Sequence, residues 1–229
     1  MPMDASSLSL PAMRSFDPAR SQAGSIYKLM TGIIVPRPVA LVSTVDGRGA
    51  ANLAPFSFFT GVGDNPPSLL FCPALRAAGA AVARKDTLSN VEQTREFVVN
   101  VTTSAIAGAA RATAAEVGPE VDEFELAGLT PIASEVVRPP RVAESPAQIE
   151  CRLLHAIYTG RGPGSGVVVL GEIVRIHVRE DLVSNFRVDP GGLDAVGLLA
   201  GNSWLRTGRE PSGATGTSSP AAEDGALSA

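Results

Sequence analysis

The feature that most limits the fold of this chain is a series of short, mostly apolar segments separated by turn residues instead of regular helices. Such segments are typical of strands. They are Val39–Val45, Asn52–Phe59, Ser68–Cys72, Phe97–Val101, Pro146–Leu153 and Val167–Arg179. Because parallel strands need long, usually helical crossovers, a doubly wound parallel sheet is disfavoured. The sequence therefore predicts a mainly β fold, a β-barrel with helical additions.

Turn chemistry predicts how the first strands pair. Asp46-Gly47 lies between the first two segments, and Asp-Gly is a strong signal for a tight hairpin. Pro55 lies inside the second segment, where its missing N–H predicts an edge or bulged strand. We interpret Gly61–Pro67 as a loop. The 23 glycines and 18 prolines of the chain suit many tight turns.

The two late segments read as longer strands, joined by a glycine-rich turn at Gly160–Gly166. Residues on the two faces of the first of them differ in polarity. Ala147, Ile149, Cys151 and Leu153 point one way, whereas Gln148, Glu150 and Arg152 point the other. The alternation predicts a strand with one apolar and one polar face.

Helices are expected at three places. The first spans about Gly24 to Met30, the second is capped by Asp86 or Thr87 and runs to about Arg95, and the third is the alanine-rich stretch Thr103–Ala115. The stretch Pro73–Arg84 fits neither pattern. Gly118–Arg141 is rich in prolines and turn residues, and its length suggests a functional lid or a dimer arm.

Composition divides the chain into one domain with two irregular ends. Residues 1–22 are polar, and we expect a flexible segment there. Residues 23–206 form the predicted domain. Residues 207–229 contain almost no large apolar side chain, so they cannot offset the entropy of ordering and are expected to be disordered.

Charge and cysteine content exclude several classes of protein. The net charge is −4 and no cluster of Lys and Arg appears, which argues against nucleic-acid binding. No apolar run is long enough for a membrane span, and the N-terminus lacks a secretion signal. Two cysteines provide neither a disulfide framework nor a metal site. We expect a cytoplasmic protein that contacts neither membranes nor nucleic acid.

Three segments combine features that suit a ligand. Two prolines flank Arg37, which makes a stiff edge for a flat molecule or simply a rigid strand entry with a solvated arginine. In Asn52–Phe59, polar residues bracket an apolar edge that could equally be an ordinary edge strand. Lys85-Asp86-Thr87 precedes or begins a helix, whose free amides suit a phosphate, although a capped helix beside a surface lysine looks the same.

These segments and two others, in this order, resemble the flavin reductase-like family of FMN-binding split barrels. The matching stretches are TGIIVPRPVALVST (31–44), ANLAPFSFFTGVGDNPPSLLF (51–71), KDTLSNVEQTREFVVN (85–100), VDEFELAGLTPIASEVVRPPRVAESPAQIECRL (121–153) and VLGEIVRIHV (169–178). They cover most of residues 25–205. One such motif is weak evidence, whereas five collinear motifs are specific.

The resemblance implies an FMN-binding split β-barrel that forms a homodimer, with FMN near the subunit interface. It implies that the isoalloxazine lies along Arg37, Pro38, Val39, Ala40, Ser43 and Thr44. The residues implied to line the ring and ribityl chain are Asn52, Ala54, Pro55, Phe56 and Ser57. Lys85, Asp86 and Thr87 would hold the phosphate, which agrees with the reading of the helix start. No side chain is assigned as catalytic, and no metal is expected.

One segment departs from the family pattern. Where members often carry Arg-Leu-Gly-Gly followed by a tyrosine, this chain has Leu198 in place of the arginine, Ala200 in place of a glycine and Trp204 near the tyrosine position. If the segment borders the substrate pocket, Trp204 makes that pocket bulkier and more apolar. The use of a nicotinamide donor is then in question.

Three functions remain open. The first is an NAD(P)H:flavin reductase, which could supply reduced flavin to a partner monooxygenase. The second is an FMN-dependent oxidase or oxygenase that acts directly on a small organic substrate. The third is a flavin-binding electron carrier, or a scaffold without turnover.

Overall fold

The computed structural model describes residues 11–22, 24–78, 81–115, 117–118 and 121–207. Its strands are β1 (Arg37–Pro38), β2 (Ala40–Val45), β3 (Ala51–Phe56), β4 (Phe59–Asp64), β5 (Pro67–Phe71), β6 (Arg76–Ala78), β7 (Ala81–Ala83), β8 (Glu96–Val101), β9 (Pro131–Ile132), β10 (Arg141–Val142), β11 (Ala147–Tyr158), β12 (Val167–Val178), β13 (Val183–Ser184), β14 (Arg187–Val188), β15 (Val196–Leu198) and β16 (Trp204–Arg206). Its helices are α1 (Ser25–Ile33), α2 (Asp86–Thr94), α3 (Ala107–Ala112), α4 (Glu123–Ala127) and α5 (Pro190–Leu193). Within these ranges, every helix is too short or too polar to cross a bilayer.

Seven antiparallel strands form the main sheet, in the order β3-β2-β8-β11-β12-β5-β4. The strands at its two edges, β3 and β4, are consecutive in the chain and only Ser57 and Phe58 separate them. A two-residue connection cannot span a flat seven-stranded sheet, because neighbouring strands lie about 4.8 Å apart. The sheet therefore curves until its edges approach each other, which gives a barrel that is not closed by hydrogen bonds. The prediction of a mainly β fold with few helices is confirmed.

The predicted hairpin and edge strand are present. Val45 pairs with Ala51 across the turn, and the Asp46 carboxylate accepts the amide N–H groups of Arg48 and Ala50, each at 2.8 Å. β3 is an edge strand as Pro55 predicts, because it pairs within the main sheet with β2 alone.

The prediction of a loop at Gly61–Pro67 is wrong. β4 spans Phe59–Asp64 and pairs with β5, with an irregularity between Gly61 and Gly63. Its glycines have a low strand propensity and its residues from Thr60 onward are exposed, so no apolar alternation marks it. Backbone pairing with the buried strand β5 decides its conformation.

Helix boundaries differ from the predicted ones. α3 is only Ala107–Ala112, shorter than the predicted 103–115. The first residue of α2 is Asp86, its N-cap is Lys85, and no side chain caps it, so neither Asp86 nor Thr87 is the cap. The stretch that fitted neither pattern contains the hairpin β6–β7.

The long segment 118–141 packs against its own barrel where the structure describes it. Phe124 and Leu129 form a buried cluster with Leu41 and Leu53 on the outer face of the sheet. On the expected polar face of β11, Gln148 is buried and Glu150 is completely buried beneath this segment, whereas Arg152 is exposed. The strand alternation was read correctly, but part of the polar side is a second packed layer.

Both predicted chain ends extend beyond the described residues. Residues 11–22 are mostly exposed and contain a single turn of 3-10 helix at Pro18–Arg20. The predicted disordered tail lies outside the described residues from position 208 onward.

Candidate functional site

An open cavity of about 300 Å³ lies where the first strands meet α3 and the last hairpin. Its lining comes from four separate parts of the chain. The lining residues are Val39, Pro55, Phe56, Ser57, Ala110, Arg111, Ala114, Leu198, Asn202 and Trp204. The volume is at the lower end of the range of ligand sites, about 300–1,000 Å³. Two of the segments that the sequence singled out, and the segment that departs from the family pattern, therefore share one cavity.

Two strands that pair side by side supply the base of this cavity. Val39 immediately precedes β2. Pro55 and Phe56 end β3, where Phe56 pairs with Ala40, and Ser57 follows directly. Because β3 is an edge strand, the end of this strand is not covered by a further strand of the main sheet. The edge that Pro55 produces is thus the edge that a ligand can approach.

Arg37 is 4 % exposed and all its hydrogen bonds run to neutral acceptors. Its Nη1 donates to the carbonyl oxygens of Thr31 and Ile34, the latter at 3.0 Å, and its Nη2 donates to that of Leu199 at 3.1 Å. Its Nε donates to Ser57 Oγ at 3.3 Å. The guanidinium joins the end of α1 to the cavity wall and leaves the Ser57 O–H group able to donate. Among the described residues, no carboxylate forms an ion pair with Arg37.

The hairpin of β15 and β16 forms a second wall. Leu198 pairs with Arg37 across β1 and with Trp204 across the hairpin. A Cβ atom at Gly197 would lie 2.9 Å from Pro36 Cβ, so the close approach of the two strands requires glycine there. The altered segment does border the cavity, as the sequence analysis considered, and Trp204 is one of its lining residues.

Arg111 is the charged lining residue that sequence reasoning missed, together with its neighbours in the chain, Ala110 and Ala114. It lies in the last turn of α3, and its guanidinium carbon is 5.4 Å from the centroid of the Trp204 ring. A single arginine in an alanine-rich helix carries no motif, and the partner ring is 93 positions away in sequence, counted as 204 − 111. No local signal could have identified it.

Several predicted ligand contacts are enclosed by the protein. Asn52 Nδ2 donates to Thr87 Oγ1 at 2.9 Å, and Asn90 Nδ2 donates to Thr44 Oγ1 at 3.1 Å. These side chains connect α2 to β2 and β3. Thr87 is only 1 % exposed and Thr44 is fully buried, so in this structure they present almost no surface to a ligand.

The remaining predicted residues on the first strands range from buried to exposed. Ser43 is buried, donates to the carbonyl oxygen of Pro140 and accepts from Asn100 Nδ2 at 3.3 Å. Ala40 is buried in the barrel core, and Ala54 packs against that core half-buried. Pro38 is exposed in β1. None of these residues lines the 300 Å³ cavity.

The residues expected to hold the phosphate lie close to the cavity, because Lys85 contacts the ring of Phe56. Lys85 Nζ is 5.5 Å from the centroid of the Phe56 ring, and Phe56 lines the cavity. No side chain caps the first turn of α2, so its leading N–H groups keep their partial positive charge for a ligand. Among the three predicted residues, Lys85 is the half-buried cation that suits an anion.

A second, smaller cavity of about 140 Å³ explains where Asp86 faces. Three carboxyl side chains, Asp46, Asp86 and Glu123, line it against one cation, Arg48, so acidic groups predominate. Burial raises the pKa of Glu123, although the Leu53 N–H that it accepts lowers it, and the nearby carboxylate of Asp86 raises it further. An acidic cavity repels a phosphate. Asp86 therefore does not suit the phosphate that was expected here, whereas Lys85 does.

Histidine and cysteine side chains are outside the larger cavity. Cys151 is buried, and burial raises the pKa of its thiol well above the ordinary value; burial also raises the pKa of Cys72. Within the described residues, no group of three or more His, Cys, Asp or Glu side chains is placed to hold a metal ion.

Comparisons with known proteins agree on one family. The family described as "Flavin reductase like domain" matches residues 31–193. The crystal structure of nitrilotriacetate monooxygenase component B from Bacillus cereus is 39% identical, with a TM-score of 0.81 over 87% of this chain and 98% of that one. The structure of 2-nitrobenzoate 2-nitroreductase from Pseudomonas fluorescens is 28% identical, with a TM-score of 0.77 over 92% of this chain and 100% of that one. A relative from Aquifex aeolicus is 37% identical over 80% of this chain and 90% of its own length.

Proposed function

Because the chain belongs to the flavin reductase-like family, a family of split-barrel proteins, we propose that it is an FMN-dependent oxidoreductase whose 300 Å³ cavity takes the flavin ring. A flavin-related reductase is supported by the family membership and by the similarity to a monooxygenase component and a nitroreductase. FMN, the electron donor and the acceptor are the finer parts of this proposal. The observation that carries it is the convergence of Val39, Pro55–Ser57 and Trp204 on one cavity.

The groups around the cavity fit a flavin. Apolar side chains supply flat contact for a ring system, and the Ser57 hydroxyl supplies a donor beside it. The buried Arg37 guanidinium has only neutral partners, and a buried positive charge is costly without an opposite charge. Negative charge on a bound flavin would offset that cost. Lys85 and the uncapped start of α2 suit the phosphate end.

The proposed roles of the residues are binding and orientation. When bound, FMN supplies the two-electron chemistry, accepting a hydride from reduced nicotinamide. Arg37 holds Ser57 in place and would contribute positive potential to the cavity wall. Trp204 and Leu198 restrict the volume in which a substrate can lie. No acid or base is assigned, since hydride transfer needs none from the protein.

The leading form of the proposal is an NAD(P)H:flavin reductase. The similarity to component B of a monooxygenase supports a role in supplying reduced flavin to a separate monooxygenase. A second candidate is direct action on a small organic substrate, which the apolar Leu198–Trp204 wall and the similarity to a nitroreductase favour. In that case the substrate occupies the volume beside Trp204.

A homodimer is part of the proposal, and exposed apolar side chains support it. Tyr27, Ile33, Ile34 and Val35, in or just after α1, are exposed, as is Val62 on the edge strand β4. Contiguous exposed apolar residues and an open strand edge favour association. Light scattering over a wide range of concentrations tests this directly, and a monomer throughout would contradict it.

The experiment that tests the main proposal has two stages. Purified protein is mixed with FMN and desalted, and the visible flavin spectrum is recorded; retained flavin is the expected result. The loaded protein is then mixed anaerobically with NADH or NADPH. Rapid bleaching supports the reductase. Bleaching by an organic substrate in place of the nicotinamide supports an oxidase. Anaerobic reoxidation of the nicotinamide-reduced flavin by a nitroaromatic compound supports direct reduction of an organic substrate, and loss of all flavin on desalting refutes FMN binding.

A further inference from the structure

Arg111 is a cation without a counter-ion on the wall of the candidate site. Of the ten described residues that line the cavity, it alone carries a charged side chain. Its side chain makes no hydrogen bond or ion pair to any residue that the structure describes, and its guanidinium carbon lies 5.4 Å from the centroid of the Trp204 ring. A guanidinium over an aromatic face still has its N–H groups available at its edge.

A neighbouring arginine has a carboxylate partner, so arginines in this region are not generally left without a described counter-ion. Arg206 lies two residues after Trp204 on the same strand, β16. Both its Nε and its Nη2 donate to the carboxylate of Asp194, each at 2.8 Å. Carboxylate partners are therefore used in this part of the fold, and Arg111 is the cation that faces the cavity without one.

The surroundings of Arg111 strengthen its attraction for an anion. Ala110 and Ala114 are small and apolar, and Leu198 and Val39 add further apolar surface. Arg111 is itself an exposed residue. A ligand that covers it beside these apolar walls would make its pairing with an anion stronger than in open water. Arg37 adds a second positive charge that lacks a carboxylate partner among the described residues, and it reaches the cavity through Ser57.

We propose that Arg111 binds the carboxylate of a planar, singly charged organic acid, which lies in the cavity against Trp204. The planar fork of a guanidinium matches a carboxylate with two parallel hydrogen bonds. A phosphate carries close to two charges and needs several charged or amide donors, whereas the lining offers one cation. The apolar walls suit the ring of the acid. This inference rests on the proposed function, because it names the substrate class of the same cavity.

Trp204 is the only tryptophan in the chain, so its fluorescence reports on this site. The probes are benzoate and benzamide, which share a ring and differ in charge. Each is titrated into the purified full-length protein, once without added flavin and once loaded with FMN. We expect benzoate to change the fluorescence saturably and to bind about tenfold to hundredfold more tightly than benzamide, because a charge-assisted pair adds that much.

Variants assign the preference to Arg111. Arg111→Gln should remove the preference for benzoate, and Arg111→Lys should keep part of it, because a lysine retains the charge but not the fork. Arg161→Gln is the matched control, since Arg161 lines a different cavity with Leu75 and Tyr158. It should behave like the wild type.

Two results would overturn the inference: equal affinity of the wild type for benzoate and benzamide, or an unchanged preference in Arg111→Gln. The comparison of the two probes on the wild type needs no variant, so misfolding of one variant leaves it decisive. Flavin retention is measured on the same samples. Loss of flavin with an intact preference for benzoate refutes the proposed cofactor alone, whereas retained flavin without the preference refutes the role of Arg111 alone.

Discussion

Two buried charges, Glu150 and Arg37, differ in what surrounds them. Glu150 is 0 % exposed and lies on β11 under the long segment that follows α4. Its carboxylate accepts the N–H groups of Glu135 and Val136, both at 2.8 Å, and lies 2.7 Å from His177 Nε2. Every one of these groups belongs to the protein, so the charge of Glu150 is satisfied without a ligand.

Arg37 is almost as deeply buried, but its partners are carbonyl and hydroxyl oxygens. They satisfy its hydrogen-bonding capacity and do not neutralise its charge. Glu150 also has an opposite charge nearby, since Arg141 Nε lies 4.0 Å from its carboxylate. The contrast teaches that a buried charge compensated by backbone N–H groups and an opposite charge of the protein stabilises the scaffold. A buried charge with only neutral partners, beside a cavity, is a candidate for ligand binding. Substitutions at the two positions should therefore affect different properties.

The largest effect is expected from Glu150→Gln. The variant removes the negative charge and turns an amide group toward backbone N–H donors. Breaking a buried charged network of this kind costs about 3–5 kcal/mol of unfolding free energy. Denaturant unfolding of the flavin-free protein measures it, with Glu144→Gln, a carboxylate at the exposed end of the segment, as the control. A loss below about 1 kcal/mol, the usual size of a surface pair, would contradict this account.

The same substitution should change the response to acid. Burial raises the pKa of Glu150. The N–H groups of Glu135 and Val136 and the contact with His177 lower this pKa by more than burial raises it, so it lies below its usual range. A lowered pKa contributes stability that is present above the unfolded value, about 4.3, and is lost as the pH falls through the folded value. The difference between wild type and Glu150→Gln should thus be largest near neutral pH and shrink in acid. A constant difference would show that charge is not its cause.

Arg37→Met tests the other side of the comparison. We expect it to lose less unfolding free energy than Glu150→Gln, because an apolar side chain avoids the cost of a buried cation. FMN binding should weaken by about a hundredfold, the upper end of what charge-assisted interactions contribute. Equilibrium dialysis with FMN measures the affinity, and Arg95→Met, a substitution distant from the cavity lining, is the control. Unchanged FMN affinity in Arg37→Met would break the comparison.

A slightly smaller effect on affinity is expected from Lys85→Ala. If Lys85 contacts the phosphate, the variant should bind FMN about tenfold to hundredfold more weakly. Riboflavin has no phosphate, so its affinity should scarcely change, and this contrast separates a phosphate contact from a general loss of fold. Equal FMN affinity in the variant and the wild type would refute this placement of the phosphate.

Glu123→Gln should have the smallest effect, in the opposite direction. Glu123 is buried with one backbone N–H donor from Leu53, at 3.2 Å, and with Asp86 nearby. Its pKa is raised, so the folded protein holds the proton longer and loses stability relative to the variant as the pH rises through the folded value. Glutamine can still accept from Leu53. We expect a gain of at most about 1 kcal/mol at neutral pH; a loss larger than that would show that the charge of Glu123 stabilises the fold.

Much of the fold could be predicted because its signals are local. Three signals act through nearby backbone atoms: the short apolar runs, the Asp-Gly turn and Pro55 in an edge strand. β4 escaped prediction, since its glycines and exposed side chains carry no pattern and its conformation comes from pairing with β5. The candidate site follows the same rule. Segments that carry a local sequence pattern were predicted, whereas single residues that come together from distant parts of the chain were not.

The sequence by itself determined the mainly β class, six of the seven strands of the main sheet and, through five collinear motifs, the family. Only the tertiary structure decided which of the candidate residues border a cavity. It enclosed Thr44 and Thr87 in a polar network, and it joined Arg37 to Leu199 across 162 positions. It also placed Arg111 over Trp204. Burial and the presence or absence of a counter-ion depend on contacts between distant segments, and no local pattern of residues contains that information.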